Sequence, residues 1–370
     1  MTKKTPKRIL ISGGGTGGHI FPAVSIANAA RRRWPDVEIK FVGALGRMEM
    51  ERVPAAGYDI VGLPVAGFDR RRLWRNFGVL LKLRRSLKIA RRVLRDFNPD
   101  IAVGVGGYAS GPTLKEAQKR GIPTLLQEQN SFAGVTNRLL AKKADAICVA
   151  YEGLERFFPA DRIVMTGNPV RQTVLDTPMT PEEARRALGF APERPLVFVT
   201  GGSLGARTIN ESTAAALDLW IERGANILWQ TGKLYAEECA AIASRYPADR
   251  VRATAFVSDM GEAYRAADIV VARAGAGTIS ELQLLGKTAV LVPSPNVAED
   301  HQRHNAESLS TRGAAVMVLD ADARRDLGAE VADLLDNPAK RRAIGEAASN
   351  MALRDSDEKI IDKIQEIINR

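Results

Sequence analysis

The stretch ILISGGGTGGHIFPAVSIA, residues 9–27, decides the fold of this chain. Its first three residues are apolar, which predicts a buried strand. After five glycines and a threonine, apolar residues recur at helical spacing behind Pro22, which predicts a helix. The glycines then form a strand-to-helix turn, whose backbone N–H groups favour a negatively charged or hydrogen-bond-accepting ligand. We therefore predict a ligand-binding turn between a buried strand and a helix.

Gly13, Gly15 and Gly18 satisfy the pattern G-x-G-x-x-G of dinucleotide-binding sites. Such a site also needs an acidic residue at the end of the second strand, where it holds a ribose diol. The second predicted strand, VEIKFVG, ends instead in Val42 and Gly43. The sequence therefore disfavours NAD binding, and for this pattern alone a tight turn without a ligand is the alternative.

The composition indicates a two-domain protein of a reducing compartment. With 370 residues, 45% of them hydrophobic, the chain can bury more than one core. Its two cysteines, Cys148 and Cys239, cannot form a disulfide framework. The N-terminal apolar stretch is too short for a signal peptide, and no run is long enough to span a bilayer, so we expect a cytosolic protein. The net charge of +10 calls for a polyanionic partner or surface.

Strand and helix patterns alternate along the chain in two successive series. The first series of predicted strands is RILISG, VEIKFVG, DIVGLPV, DIAVGVGG, PTLLQEQ and AICVA. The second is PLVFVTGG, NILWQTG, VRATAFV, DIVVARAG, AVLVP and AAVMV. Two such series predict two doubly wound α/β domains, residues 1–170 and 171–352. A last helix is predicted near residues 357–369, and we expect residues 353–370 to return to the first domain.

The second half also places small-residue turns after its strands. One turn contains residues 201–205, and another, residues 274–278, leads into a helix that carries Glu281. A carboxylate one turn into such a helix suits a ribose, because a vicinal diol offers two donors at matching spacing. Alternatively, Glu281 only complements the helix N-terminus. Three glycine turns favour ligand binding, because open α/β sheets bind ligands at the C-terminal ends of their strands.

Seven blocks occur in the order seen in one enzyme family: GGGTGGHIFP, GVGGYASGP, LQEQNSFAG, TGNPVR, GGSLGAR, ARAGAGTISEL and AEDHQRHNA. From about Arg8 to the last helix, the chain closely resembles the MurG family, peptidoglycan glycosyltransferases that transfer N-acetylglucosamine from UDP-N-acetylglucosamine to lipid I. The resemblance implies the GT-B fold, two Rossmann-like doubly wound domains with parallel sheets facing across a cleft. It also implies transfer with inversion and without a metal or another cofactor. Leu204 departs from the family pattern, where glutamine is frequent, so a side-chain contact at that position stays open.

The resemblance implies that the second domain binds the nucleotide sugar. By match, Ser203 reaches the diphosphate, Glu281 the ribose, and the backbone of Val257 the uracil. Arg171 would face the diphosphate or a nearby sugar, and Gln302 the hydroxyls of the donor sugar. The other donor-binding candidates are Thr16, Gly17, Gly18, Asn130, Ala276, Gly277, Thr278, Ile279 and Ser280. Each also has an ordinary role as a cap or surface residue.

The first domain would bind the acceptor, a muramyl-pentapeptide on a polyprenyl diphosphate. Its glycine loops suit the acceptor diphosphate, and the acceptor-binding candidates are Gly14, Gly15, Gly106, Gly107 and Tyr108. Transfer requires that the attacking C4 hydroxyl lose its proton and that the departing UDP be stabilised. A histidine side chain can take up a proton near neutral pH, so His19 is the candidate general base. Glu128 is the alternative base.

No metal site is expected from the sequence. The triplets DAD, residues 320–322, and DSD, residues 355–357, match the D-x-D pattern of metal-dependent transferases. Neither follows a strand beside the glycine turns, so we expect solvated loop residues. His301 and His304 lie three residues apart, but no further ligand cluster supports a zinc site.

Residues 70–95 contain eleven Lys and Arg residues and no Asp or Glu. On a helical wheel, one apolar stripe is predicted to pack on the domain and consists of Leu80, Leu83, Leu87, Ala90 and Leu94. The opposite face combines basic and apolar side chains, among them Trp74, Phe77, Leu81, Arg84 and Arg85. Such a face predicts contact with an anionic membrane surface, where the acceptor resides. We therefore expect a peripheral protein on the cytoplasmic face of the inner membrane; a solvated basic face is the alternative.

The sequence disfavours two other functions. Another GT-B enzyme that uses UDP-N-acetylglucosamine, such as an epimerase or a glycolipid synthase, is disfavoured by the GGYASGP and EQN blocks. Nucleic-acid binding would suit the charge, but the sequence lacks aromatics interleaved on strands and any helix-turn-helix signal, so no nucleic acid partner is expected. Other cell-wall synthesis proteins are further candidate partners.

Overall fold

A computed structural model of the chain describes residues 4–66 and 77–370. The chain divides into two compact units. Unit 1 consists of Met1–Val170 and Leu353–Arg370, and unit 2 consists of Arg171–Ala352. In the described ranges, no helix combines the length and apolar character needed to cross a membrane.

In the described part of unit 1, the sheet has seven strands, all in parallel pairs. They are β1 Arg8–Ser12, β2 Glu38–Ala44, β3 Asp59–Leu63, β4 Ile101–Gly104, β5 Thr124–Glu128, β6 Ala146–Val149 and β7 Ile163–Met165. Their order is β3-β2-β1-β4-β5-β6-β7. The direction of winding reverses between β1 and β4, and doubly wound sheets bind ligands at this point, beyond the C-terminal ends of the strands. The strand β7 is not predicted from the sequence, because it is a three-residue edge strand without a buried residue.

Helices cover both faces of this sheet. In the described part of unit 1 before residue 170, they are α1 Gly17–Arg33, α2 Glu49–Ala55, α3 Phe77–Phe97, α4 Ser110–Lys119 and α5 Val135–Leu140. Ile9 and Ile11 pack in one core cluster with residues of α1, whereas Leu10 packs on the opposite face with residues of α3 and α4. Because both faces are covered, the strand is a continuous apolar run.

Unit 2 has the same winding with six parallel strands. The strands are β8 Leu196–Thr200, β9 Asn226–Gln230, β10 Val251–Thr254, β11 Ile269–Ala272, β12 Thr288–Leu291 and β13 Val316–Met317, in the order β10-β9-β8-β11-β12-β13. The helices are α6 Gln172–Leu175, α7 Pro181–Ala187, α8 Arg207–Glu222, α9 Ala236–Ala243, α10 Met260–Ala266, α11 Ala276–Leu284, α12 His301–Ser310, α13 Ala323–Asp336 and α14 Pro338–Asn350. The winding of this sheet reverses between β8 and β11.

The C-terminal helix, α15 Ser356–Ile368, packs on α1 of unit 1. Its inner face is isoleucine, and Ile360 and Ile364 are fully buried in the core cluster that also contains Ile9. An ion pair joins the two helices at the edge of this contact, where Nη2 of Arg32 donates to Oδ2 of Asp357 at 2.7 Å. The chain therefore completes the core of unit 1 with residues that follow unit 2.

The apolar stripe predicted for α3 is only partly buried. Ala90 and Leu94 lie in the core, but Leu80 is 49% and Leu83 40% exposed, so the expectation that both pack on the domain is wrong. The C-terminal half of α3 is held against α4, where Arg91 Nε contacts Glu116 Oε2 at 2.7 Å. In the N-terminal half of α3, by contrast, Leu80, Leu81 and Leu83 are exposed.

Two further expectations need correction. The helix α1 begins at Gly17, so Gly17 and Gly18 belong to its first turn and Pro22 lies inside it. Asp320 is not a solvated loop residue. It accepts a hydrogen bond from the Thr208 hydroxyl at 3.0 Å and pairs with the guanidinium of Arg273, because it follows β13 and lies beside the start of α8.

Candidate functional site

In unit 1, the turns after β1 and β4 lie side by side. The two strands pair with Ser12 opposite Gly104. A Cβ atom at Gly107 would overlap the carbonyl oxygen of Gly14, and one at Gly13 would overlap the side chain of Val105. These glycines are therefore required for the close contact between the two turns, whether or not a ligand binds there.

The glycine turn after β1 is held by a buried carboxylate, Glu49, which is not predicted from the sequence. Glu49, at the start of α2, is fully buried, and both of its oxygens lie 3.0 Å from the backbone nitrogen of Gly15. Its Oε1 also accepts from the N–H of Ala44 at 2.9 Å. The N–H of Gly15 thus points toward Glu49, and a ligand at this turn must use other groups. The signal in the sequence is an acidic residue five positions beyond the second strand.

His19 lies in the first turn of α1, and its ring is held on two sides. The hydroxyl of Thr16 lies 3.0 Å from Nδ1. A Cβ atom at Gly106 would lie 3.0 Å from Nε2 and from Cδ2, so the ring packs on the backbone of the second turn. If Thr16 accepts the proton of Nδ1, Nε2 carries the lone pair that a general base needs. The structure thus brings three predicted site residues of unit 1 together.

Glu128, at the end of β5, is buried among hydrogen-bond donors. Its carboxylate accepts from the N–H of Gly134 at 3.0 Å, from Nδ2 of Asn137 at 2.9 Å and from the N–H of Asn130 at 3.2 Å. Burial raises the pKa of the Glu128 carboxyl, and these hydrogen bonds oppose that shift. The carboxylate therefore holds its own loop, residues 129–134. Tyr108, in contrast, is exposed on the second turn.

In unit 2, the turn after β8 presents Ser203 and Leu204 on the surface, and both are exposed. The turn after β11 leads into α11, which begins at Ala276 with Gly275 as its N-cap. Gly277 has no neighbouring atom within 4 Å of its Cβ position. The remaining predicted residues of this turn are Thr278, Ile279 and Ser280, of which only Ile279 is fully buried. Backbone N–H groups at the start of α11 suit a negatively charged ligand.

Glu281 lies further along α11 and is held by two donors. Its Oε1 accepts from Nη2 of Arg171 at 2.9 Å, and its Oε2 accepts from the hydroxyl of Tyr264 at 3.1 Å. The structure thus joins two predicted donor-site residues. Tyr264 was missed, because nothing in the sequence distinguishes it from an ordinary core tyrosine.

Two other predicted residues of unit 2 are engaged in hydrogen bonds. The N–H of Val257 donates to Oε1 of Gln230 at 2.8 Å, and Gln230 is itself buried. The side-chain oxygen of Gln302 accepts from the N–H of Ser294 at 2.9 Å. A base that meets Val257 would therefore find its carbonyl oxygen rather than its N–H.

No group of three His, Cys, Asp or Glu residues capable of holding a metal occurs in residues 4–66 and 77–370. His301 and His304 both lie on α12, and Nδ1 of His304 is 3.4 Å from Oε2 of Glu307. Of the predicted membrane-contact residues, Trp74 lies outside the described part of the chain, and Phe77 is described only as the first residue of α3.

Two doubly wound parallel sheets, with glycine turns at the reversal of winding in each, form the GT-B fold found in glycosyltransferases. The chain belongs to glycosyltransferase family 28: residues 9–149 match its N-terminal domain and residues 196–362 its C-terminal domain. This assignment covers the glycine turns after β1, β4, β8 and β11.

Similar proteins span nearly the whole chain. A relative from Parabacteroides distasonis, named UDP-N-acetylglucosamine–N-acetylmuramyl-(pentapeptide) pyrophosphoryl-undecaprenol N-acetylglucosamine transferase, is 54% identical over 98% of this chain and 99% of its own length. A relative of the same name from Bacteroides fragilis is 56% identical over 94% of this chain and 92% of its own. The crystal structure of MurG from Acinetobacter baumannii is 28% identical, covers 98% of this chain and 100% of that one, and has a TM-score of 0.76. A UDP-N-acetylglucosamine 2-epimerase, 14% identical with a TM-score of 0.67, shares only the fold.

Proposed function

We propose that this chain transfers N-acetylglucosamine from UDP-N-acetylglucosamine to the C4 hydroxyl of the muramyl sugar in polyprenyl-diphosphate-linked muramyl-pentapeptide. The products are UDP and the disaccharide-bearing lipid, with inversion at the anomeric carbon. The observation that carries this proposal is the 54% identity, over 98% of the chain, with a relative named for this reaction. The reaction serves peptidoglycan synthesis.

We assign the donor to unit 2. The start of α11 offers backbone N–H groups to the diphosphate, and Gly277 leaves open space beside them. The carboxylate of Glu281 is the acceptor for the ribose hydroxyls. Ser203, on the turn after β8, is exposed and available to the diphosphate. Arg171 holds Glu281 and supplies a positive charge near this site.

We assign the acceptor and the general base to unit 1. As the C4 oxygen forms its bond to the anomeric carbon, Nε2 of His19 takes the hydroxyl proton, and the bond to UDP breaks on the opposite face. The contacts of Thr16 and Gly106 hold the ring for this step. Glu128 is less suited to be the base, because its carboxylate is buried and faces the N–H groups of its own loop.

The test is transfer of radiolabelled N-acetylglucosamine to a lipid I analogue. We expect His19→Ala to lower turnover about 100- to 10,000-fold, the usual contribution of a general base, and to leave UDP affinity unchanged. His304→Ala, a histidine of α12, is the control and should keep normal turnover. Near-normal turnover of His19→Ala would refute His19 as the base, and no transfer by the unaltered chain would refute the function. EDTA should not abolish transfer.

We further propose that the chain docks on the anionic cytoplasmic leaflet through the N-terminal half of α3. The exposed leucines Leu80, Leu81 and Leu83 stand beside the exposed arginines Arg84 and Arg85. Apolar and basic side chains on one helix suit a membrane interface, and a polyprenyl-linked acceptor stays in the bilayer. Trp74 and Phe77 are included in this proposal because the sequence predicts them on the same helix face as Arg84 and Arg85.

A further inference from the structure

Tyr264 is a buried hydroxyl that the proposed reaction does not use. It lies on α10, is 1% exposed, and donates to Oε2 of Glu281 at 3.1 Å. Its ring packs edge-on against Phe198, with centroids 5.8 Å apart and planes at 67°. This packing fixes the ring, so the hydroxyl cannot follow the carboxylate if the carboxylate turns.

The two donors leave the Glu281 carboxylate capable of binding a diol. A carboxylate has about four lone-pair sites, two on each oxygen. Arg171 occupies one site on Oε1 and Tyr264 one site on Oε2. Each oxygen can therefore accept one further hydrogen bond, and the two hydroxyls of a ribose are two such donors.

The two donors differ in what they contribute. Arg171 brings a full charge, and its side chain is 33% exposed. Tyr264 is neutral, because burial, and after it the adjacent charge of Glu281, raise the pKa of its hydroxyl well above the ordinary value. A neutral donor orients the carboxylate without cancelling its charge, and hydrogen bonds to a charged acceptor are about twice as strong as neutral ones.

We propose that Tyr264 is a positioning residue that aims the Glu281 carboxylate at the ribose hydroxyls, and so sets the preference for ribonucleotide over deoxyribonucleotide donors. This inference rests on the proposed donor site, and specifically on contact between Glu281 and ribose. It adds to that site a residue that need not touch the donor.

The test compares the affinities of UDP and 2′-deoxy-UDP for the full chain by calorimetry. We expect the unaltered chain to prefer UDP, and Tyr264→Phe to reduce this preference by about three- to tenfold, as loss of a hydrogen bond to a charged group implies. In the transfer assay, the same variant should raise KM for the donor and leave kcat within about twofold. Tyr264→Phe removes one oxygen atom and keeps the ring against Phe198, and thermal unfolding verifies its fold.

Tyr246→Phe is the matched control. The Tyr246 hydroxyl also donates to a carboxylate, Oδ1 of Asp218 at 2.8 Å, but on the surface of the same unit. This variant should keep the full preference for UDP.

The double variant Glu281→Ala with Tyr264→Phe should show the same preference as Glu281→Ala alone, because Tyr264 acts through Glu281. If Tyr264→Phe weakens both ligands equally, its role is structural and the inference is overturned. If the unaltered chain does not prefer UDP, contact between Glu281 and ribose is itself refuted, and the inference falls with it. A further loss of preference in the double variant would also overturn it.

Discussion

Gly277 stands in the first turn of α11, where a Cβ atom would meet no atom within 4 Å. Packing therefore does not require glycine here, and glycine in a helix costs roughly 0.5–1 kcal/mol relative to alanine. That figure applies to the middle of a helix, and Gly277 is the second residue of α11, so we predict that Gly277→Ala stabilises the chain by at most about that amount, measured by urea unfolding. The same methyl group would occupy the space proposed for the donor diphosphate, so UDP affinity should fall at least about tenfold.

Gly78, in the first turn of α3, offers a matched control for this prediction. Its Cβ position is also open within 4 Å, but it lies in unit 1. Gly78→Ala should give a similar helix gain with unchanged UDP affinity. If Gly277→Ala stabilises the chain and binds UDP normally, the start of α11 is not the diphosphate site.

At the residue scale, the sequence indicated groups whose chemistry is visible in a short motif. His19 and Glu281 stand beside glycine turns and are proposed as site residues on that ground. Glu49 and Tyr264 were not, because what matters is their partners: Glu49 contacts Gly15, 34 positions away, and Tyr264 contacts Glu281, 17 positions away. Such partners are fixed by the packing of the strands and helices, and a local pattern cannot reveal them.

At the scale of elements, the exposed N-terminal half of α3 leads to a prediction about membranes. Arg84→Gln together with Arg85→Gln should weaken cosedimentation with anionic vesicles about 30-fold at low salt, since each basic residue near the surface contributes about 1 kcal/mol. Leu81→Ser should weaken binding further. The effect of the two arginine replacements should shrink as salt rises, because salt screens their attraction to the anionic surface. The effect of Leu81→Ser, which removes an apolar contact, should not shrink.

Arg324→Gln together with Arg325→Gln is the charge-matched control, because it removes the same net charge from α13 in unit 2. This pair should bind vesicles almost as the unaltered chain does. Equal losses from the two pairs would mean that net charge, and not α3, determines binding.

The link between α11 and β12 leads to a prediction about pH. Burial lowers the pKa of Lys287 to about 8, and its Nζ donates to the carbonyl of Ala267 at 2.8 Å. Between pH 8 and the ordinary value of 10.5, the unfolded chain binds more protons at this residue than the folded chain. The free energy of unfolding should therefore rise with pH across this window, by at most about 3 kcal/mol.

Lys287→Met removes this titration, and the comparison isolates it from other groups that ionise in the same range. Urea unfolding at pH 8 and at pH 10 gives the free energy of unfolding of both proteins. From pH 8 to pH 10, the free energy of unfolding of the unaltered chain should increase relative to that of the variant. An identical pH dependence in both proteins would contradict the lowered pKa.

The predicted elements were most accurate where the apolar pattern was buried on both faces, as in β1 and β8. The apolar pattern was less accurate in α3. An apolar stripe shows that a helix face can be buried, but it does not show how much of the helix length is covered by neighbouring elements. Leu94 packs in the core, whereas Leu80, on the same stripe, stays exposed.

At the scale of the whole molecule, α15 makes the core of unit 1 depend on the end of the chain. Ile364 is fully buried there, and replacing a buried isoleucine by alanine costs about 2–5 kcal/mol. We predict that Ile364→Ala accelerates amide hydrogen exchange in β1 and leaves β8 unaffected. The measurement is exchange followed by mass spectrometry.

Leu327→Ala is the reciprocal case, because Leu327 on α13 is fully buried in the core of unit 2. It should accelerate exchange in β8 and spare β1. Equal acceleration in both strands by either variant would show that the two cores do not unfold separately.

The two-sheet organisation followed from the sequence, because two series of strand and helix patterns each specify a parallel sheet. The order of the strands did not follow from it. In both sheets the fourth strand pairs with the first, and this choice depends on helix packing over both faces rather than on any single segment.

The two cysteines make the chain suitable for site-directed labelling. Both thiols are buried, and burial raises the pKa of Cys148 to about 12 and that of Cys239 to about 11. Because the thiolate is the reactive form, a maleimide at neutral pH should react with neither native thiol. It should react with a cysteine introduced on the surface. A fluorophore at position 80 of α3 would then report its approach to a lipid surface without removal of any native cysteine.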